Sequence, residues 1–395
     1  MASAFKMPKR GFVFWPVGTG DSTTIVVKEN EIVFQLDLHH LEKSEDSDDP
    51  AWPIVDTLVP LLPTKNGKPY LSVFALTHPD KDHVLGFREL LNRVTIGEIW
   101  HTPRVFRDYE DEIELCEDAE VFRKEVHRRR EAIMRDPGNI KVGDRVRIIG
   151  HDDILNEEKY RNFPRERTSI PGHLITVLDD VDVSDCFEAF VHAPFKVDAE
   201  DTRNNTSLSL HISLKDGAAT GKAFFFGDRE YPTLKQIFDL TVQRGRQKYL
   251  YWDVLLAPHH CSKRAMYWKD DGQEEESYKK DIMDYFENFK QQGGYLVVSS
   301  NSDFTDGDGD NPPHRKARRE YEKIVDAGHF ICTHEYRSTT SPEPLIFQIT
   351  SQGTAIERTQ GVSEDAISAL SAAVSSVRGG TTPPQQQVGF GSTDD

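Results

Sequence analysis

Within His78-Pro79-Asp80-Lys81-Asp82-His83, four side chains able to ligate a metal stand inside six residues. Imidazole and carboxylate together suit divalent transition metals. On an irregular loop, alternate side chains converge while the remaining pair faces a second ion. A polar loop that caps the next helix through Asp80 or Asp82 is the plainer reading of the same residues. Two other segments favour a site. Phe224-Phe225-Phe226 runs into Gly227-Asp228, where a carboxylate can bridge two cations with one oxygen for each. Val254 to Pro258 leads into His259-His260-Cys261-Ser262. Alone, a strand ending in Gly-Asp is an ordinary turn. Three polar strand ends together define a candidate metal site.

These groups need a scaffold, and the hydrophobic patterning supplies one. Leu71 to Leu76 is a continuous apolar run, as expected for a strand buried on both faces, and it ends at the histidine-aspartate cluster. Val84 to Asn92 reads as a helix and Ile96 to His101 as the next strand. Strand, polar loop, helix, strand is an α/β arrangement with chemistry at a strand's carboxyl end. Earlier, Phe12 to Val17 and Thr23 to Val27 flank the turn Gly18-Thr19-Gly20-Asp21-Ser22, and Glu31 to Leu36 ends at Asp37. The turn is not a phosphate loop, because it lacks the lysine and the following helix. Further strands are expected at Arg145–Gly150, Leu174–Leu178, Phe187–Ala193, Ser207–Leu214, Lys222–Phe226, Trp252–Ala257, Tyr295–Ser299 and Leu345–Ile349. Helices are expected at Trp52–Leu62, Tyr109–Arg135, Pro232–Thr241, Glu274–Gln291 and His314–Ala327. The charged segment from about 104 to 140 reads as a helical insertion with a solvated face. Ser363 to Val377 reads as a short helix, and Gly379 to Asp395 as a disordered tail.

The chain has 395 residues, 37% hydrophobic and 29% charged, enough to bury a sizeable core. Its net charge of −18 excludes a module held on nucleic acid by general attraction. It does not exclude a nuclease, because bound cations reverse the local field. Cys116, Cys186, Cys261 and Cys332 are scattered singly, which speaks against zinc knuckles and redox dithiols and fits a reducing, cytoplasmic setting. No run has the length of a membrane span, and no signal peptide is expected.

Taken in order, Gly-x-Gly-Asp-Ser, Asp37 after a strand, the His78 to His83 cluster, Asn204-x-x-Ser207, Gly227-Asp228 and His259-His260 resemble the metallo-β-lactamase superfamily. Within it, the chain is most similar to the hydrolase domain of ComEC-type DNA-uptake proteins and its soluble relatives, over roughly Phe12 to Ile349. The resemblance implies an α/β fold, a four-layer αβ/βα sandwich of two mixed β-sheets with outer helices, in a hydrolase domain spanning residues 1–362. It implies metal ligands at His78, Asp80, Asp82, His83, Asp228 and His259, with Asp80 where many members carry histidine. Asn205 falls near another histidine position and is a further candidate for metal or substrate. Asp37 is expected to orient the first loop, and Asp21 and Ser22 to hydrogen-bond neighbouring loops. His260 is expected to touch substrate or support a ligand. His314 is the nearest match to a substrate-facing histidine. Cys261 replaces a customary glycine and is expected to be a packed thiol.

Two cations are implied, with a single metal at Asp82, His83, Asp228 and His259 as the alternative. Asp80 and Asn205 would make one position richer in hard oxygen, shifting the expectation from Zn2+ towards Mn2+ or Mg2+. The implied activity is phosphodiester cleavage by a metal-activated hydroxide, acting on DNA, RNA or a nucleotide. The alternatives are hydrolysis of a small ester, thioester or lactam, and a binding or regulatory module without turnover. Protein partners are expected at the charged insertion or the tail, and no membrane association is expected.

Overall fold

The computed structural model describes residues 5–42, 51–103, 106, 115–196, 203–307 and 311–357. The expected helix and tail after residue 362 lie outside them. So does the start of the charged insertion.

The strands are β1 Gly11–Phe14, β2 Thr23–Lys28, β3 Ile32–Leu36, β4 Thr64–Lys65, β5 Lys68–Ala75, β6 Thr95–His101, β7 Arg145–Ile149, β8 Thr168–Ser169, β9 Leu174–Ile175, β10 Val177–Leu178 and β11 Val181–Asp182. They continue as β12 Phe187–Ala193, β13 Ser209–Asp216, β14 Ala219–Phe225, β15 Trp252–Leu256, β16 Tyr267–Trp268, β17 Ser277–Tyr278, β18 Lys290–Val298, β19 Phe330–Cys332, β20 Leu345–Thr350 and β21 Gly353–Ile356. The helices are α1 Ile54–Leu58, α2 Lys81–Val84, α3 Phe87–Arg93, α4 Glu117–Arg135, α5 Asp152–Leu155, α6 Tyr231–Gln243, α7 Lys280–Asn288 and α8 Arg315–Ile324.

Two mixed sheets result. The first runs β21-β20-β1-β2-β3-β5-β6-β7-β8, with β4 beside β5. It is antiparallel from β21 to β3 and parallel from β3 to β8. The second runs β19-β18-β15-β14-β13-β12-β9, parallel from β19 to β14 and antiparallel beyond.

Side chains of both sheets share one core. Phe12, Phe14, Ile25 and Phe34 from the first pack with Leu210, Ile212, Phe225 and Val254 from the second. The outer face of the first sheet is covered by α1, α3 and α4 through Val55, Leu58, Phe87, Leu90, Phe122 and Val126. The outer face of the second is covered by α6, α7 and α8 through Ile237, Phe238, Phe286 and Tyr321. This is the expected four-layer αβ/βα sandwich. The alternation along β20 of buried Leu345, Phe347 and Ile349 with half-buried neighbours shows the period-two logic directly.

Local departures from expectation have physical causes. The acidic run Glu274 to Glu276 has helical propensity but stays outside α7. Tyr278 pairs with Tyr267 across the small ribbon of β16 and β17, and the rings stand 5.3 Å apart. That tertiary pairing overrides propensity. The expected strand Leu174–Leu178 breaks at Thr176, because β9 joins the second sheet while β10 turns back onto β11. Within the charged insertion, α4 spans Glu117–Arg135. It is tied to the sheet by buried Arg129, whose guanidinium donates to the carbonyls of Ile96, Gly97 and Arg145. Among the described residues, no helix is long and apolar enough to cross a membrane.

Candidate metal centre

Topology brings the polar strand ends to one edge. The parallel strands β3 and β5 deliver Asp37 and Thr77-His78 side by side. Because β2 is antiparallel to β3, with Thr23 opposite Leu36, the turn carrying Asp21 lies at that same end. On the facing sheet β14, β15 and β18 run parallel and release Asp228, His259-His260 and Ser299 there. The sheets are stitched at this edge by Leu208 N donating to Thr77 O (3.0 Å) and by Ser299 Oγ donating to Gly20 O.

Two glycines make room. A Cβ on Gly20 would meet Asp82 O at 2.7 Å, and one on Gly227 would meet the Ser207 Cβ at 2.7 Å. Gly227 also has φ +62°.

Asp228 stands at the centre, buried, and its two oxygens face different ways. Oδ1 lies 3.2 Å from His83 Nε2 and 3.4 Å from His260 Nε2. Those two nitrogens are 3.2 Å apart, and Asp82 Oδ2 is 3.3 Å from His260 Nε2 and 3.9 Å from His83 Nε2. Oδ2 lies 3.5 Å from His78 Nε2 and 3.7 Å from His259 Nε2, with Asp80 Oδ2 3.7 Å from His78 Nε2. Donors at bonding distance around a tetrahedral divalent ion stand about 3.4 Å from one another. The distances within the first group, and the three from His78 and Asp228 in the second, are those of a coordination shell. Each holds two imidazoles, one private carboxylate and one oxygen of the shared Asp228.

The second nitrogens of three rings, those of His83, His78 and His260, are held from behind, whereas His259 Nδ1 is buried with no hydrogen-bond partner among the described residues. His83 Nδ1 is 2.9 Å from Asp37 Oδ2, while Asp37 also accepts from Thr77 N (2.7 Å) and Thr77 Oγ1 (2.6 Å). His78 Nδ1 is 3.1 Å from that same Thr77 hydroxyl. His260 Nδ1 lies 3.1 Å from Ser299 O and 3.4 Å from Asp21 Oδ1. Fixing a proton on Nδ1 turns the Nε2 lone pair inward, as a metal-ligating histidine requires. Among the described residues, His78 Nε2 and Asp228 Oδ1 are buried without a hydrogen-bond partner. Buried polar atoms left in this way are costly unless something else binds them, and two divalent cations fit the donor set.

The electrostatics agree. Burial alone would push the His83 and His260 imidazoles down. Asp228, with Asp82 and Asp37 at His83 and with Asp21 at His260, instead holds both well above the ordinary histidine range. Burial would likewise raise Asp82, but His83 and His260 hold it below the usual carboxylate range. The cluster thus attracts positive charge, which protons or cations can supply.

Several sequence assignments change. His260, and not His259, joins Asp82, His83 and Asp228; His259 belongs with His78 and Asp80. The cause is local: His259, His260 and Cys261 all have left-handed backbone, with φ of 49°, 50° and 66°. Non-glycine residues pay for this conformation, and it persists because the surroundings fix it. It also explains why glycine suits position 261. The Cys261 thiol is fully buried in the outer core and pushed up by that burial, as expected of a packed cysteine.

Asn205 is corrected as a ligand. It is buried, and its Oδ1 accepts from Glu230 N (3.0 Å) and Thr233 Oγ1 (2.9 Å), so both lone pairs serve the start of α6. The expectation of one oxygen-rich position falls with it, since the two donor groups match.

His314 directly precedes α8, and there its N donates to Cys261 O (3.1 Å) and its Nδ1 accepts from Lys263 N (3.1 Å). These contacts brace the left-handed turn. Asp21 groups with His83, Asp228 and His260 within 4.8 Å, but it meets His260 at Nδ1 and so stands behind the ring. Ser22 Oγ accepts from Gln35 Nε2 (2.9 Å), which also donates to Asp37 O (2.6 Å), so it supports the Asp37 turn.

Two residues were missed. Arg229 is fully buried and donates to Ser207 O (2.8 Å) and Ser209 Oγ (2.9 Å), pinning the chain just after Asp228. His39 lies in the field of Asp82, His83, His260 and Asp21, and burial pushes it down to about 4. A histidine two residues past the strand-ending Asp37 was the available signal.

No family model and no curated protein matches the chain. Solved structures similar to it include BJP-1, a subclass B3 metallo-β-lactamase of Bradyrhizobium japonicum (17% identity, TM-score 0.30, covering 72% of this chain and 89% of that one). Another is LRA-12, a class B3 di-zinc metallo-β-lactamase from an Alaskan soil metagenome (13%, 0.32, 71% and 89%). A third is a diphosphatase from the PhnP family (10%, 0.33, 86% and 87%).

Proposed function

We propose that this protein is a dinuclear metal-dependent hydrolase that cleaves phosphodiesters in nucleic acid or a nucleotide. The observation that carries the reading is Asp228, whose two oxygens each face a separate, matched group of donors. Two divalent cations, held by these residues, would supply Lewis acidity towards a phosphoryl oxygen and would lower the pKa of bound water. The chain's own contribution is orientation. Asp37 and Ser299 O keep protons on the far nitrogens of His83 and His260. Thr77 does the same for His78, and Asp228 fixes the spacing of the two groups.

Three features support phosphodiesters over carbonyl substrates. Half the donors in each group are carboxylate oxygens, which suit Mn2+ as well as Zn2+. The ordered motifs resemble the ComEC-type branch. A net charge of −18 leaves the cations as the natural attractor for an anionic substrate.

The test is a panel of bis-p-nitrophenyl phosphate, single-stranded DNA, duplex DNA, RNA and cyclic nucleotides, each with Mn2+, Zn2+ or Mg2+. D82A/H83A serves as the blank. Phosphodiester turnover by the native protein alone, supported by Mn2+ or Zn2+, is the expected result. Turnover of carboxylic esters, thioesters or lactams with every phosphodiester intact overturns the substrate class. No turnover by fully metal-loaded protein on any of them favours a binding module.

A further inference from the structure

A cavity of about 160 Å3 opens between β12 and the end of α6. Its walls include Phe190, Phe195, Leu240 and His192, and Arg244 and Arg246 stand at its rim. It is separate from the metal centre. Helix α6 begins three residues after Asp228 and rises about 18 Å before it reaches this end.

The chemistry of the walls is specific. Phe190 is buried and stacked on Tyr249 with ring centroids 4.0 Å apart and planes at 11°, so the aromatic floor left open to the cavity is the half-buried Phe195. His192 is buried, with Nε2 donating to Tyr249 O (3.0 Å) and Nδ1 accepting from Thr241 Oγ1 (3.2 Å). Both of its nitrogens are thereby used, so it is a neutral wall and not a cation. Positive charge comes from the turn Arg244-Gly245-Arg246-Gln247-Lys248. Arg246 Nη1 donates to Gly172 O (3.0 Å), and its guanidinium lies 6.0 Å from the Phe190 ring. Gly172 leaves no room for a Cβ against that guanidinium. Arg246 is thus anchored with donors to spare. Among the described residues neither arginine forms an ion pair, although the chain carries 66 acidic side chains against 48 basic ones. A cavity lined by aromatic and aliphatic side chains, with two arginines outside any ion pair among the described residues, has the make-up of a small-ligand site.

We infer that this cavity binds a small organic anion of the nucleoside monophosphate class, its planar body against Phe195 and Leu240 and its phosphate on Arg244 and Arg246. A planar base offers a face to the aromatic floor, and a guanidinium fork matches phosphate oxygens. The inference is independent of the activity of the metal centre.

Calorimetric titration of the full chain in EDTA, with AMP as the probe, tests it. AMP should bind the metal-free protein, and R244A/R246A should weaken binding at least about tenfold. D228A, which alters only the metal centre, should leave AMP affinity unchanged. Adenosine and inorganic phosphate should each bind at least about tenfold more weakly than AMP. Thermal melts confirm that R244A/R246A, altered only at exposed residues, remains folded. Absent AMP binding, binding unchanged in R244A/R246A, or binding lost in D228A each overturns the assignment. Phosphate binding as tightly as AMP overturns the role given to the aromatic floor.

Discussion

Asp37 Oδ2 lies 2.9 Å from His83 Nδ1, on the opposite side of the ring from the Nε2 that faces Asp228. The carboxylate therefore sets both the tautomer and the tilt of a ligand it does not share. Asp37→Ala should weaken divalent-metal binding about 10- to 100-fold, the usual cost of losing such a partner. Competitive titration against a chromophoric chelator measures this. Unchanged affinity would show that His83 is held by packing alone.

The two donor groups should be separable. Asp80→Ala or His259→Ala should lower the bound metal from two equivalents to one, and so should Asp82→Ala or His260→Ala. Asp228→Ala should compromise both positions. Elemental analysis of protein dialysed against limiting Mn2+ or Zn2+ gives the counts. A single equivalent in native protein, untouched by Asp80→Ala, would remove the second position.

Asn205→Ala should behave as a structural substitution. It removes a buried acceptor from Glu230 N and Thr233 Oγ1 at the start of α6. A loss of about 1–3 kcal/mol is expected from urea unfolding, with metal stoichiometry unchanged. Loss of one metal equivalent in a still-folded variant would restore Asn205 as a ligand.

Legibility in the sequence follows how local each cause is. The His78 to His83 cluster and Asp228 are local, each sitting where an apolar run meets polar residues, and the alternation of strands with helices was equally plain. The partition of His259 and His260 was not legible, because three successive left-handed residues reverse the sides on which they emerge. Asn205 and His314 were placed by motif position. Their actual partners, the start of α6 and the turn at Lys263, come from distant parts of the chain. The end of α7 was legible to within a few residues, but its beginning depends on Tyr278 pairing across a ribbon.

Acid should destabilise this fold through its buried neutral histidines. Burial pushes His101 and His192 down to about 3 and His211 down to about 4. Each stays neutral in the folded chain but takes up a proton on unfolding once the pH drops below its ordinary value near 6.5. Their contribution is therefore complete above about pH 6.5 and is lost as pH falls towards the folded values. Each should add about 1.4 kcal/mol per pH unit to the slope of stability between about pH 6 and pH 4. Urea unfolding across that range should show the slope reduced by about that amount in His192→Gln. An unaltered slope would mean that His192 is not neutral in the folded protein.

The left-handed turn at His259–Cys261 also has a consequence for biosynthesis. Its backbone is held by Gly227 O from before it and by His314 from more than fifty residues after it. A chain emerging from the ribosome has made every donor of the centre once residue 260 is out, yet it still lacks the brace that sets the two imidazoles. Nascent chain thus passes through a long interval in which it owns the donors but not their arrangement. The centre takes its final form only once His314 has reached the turn.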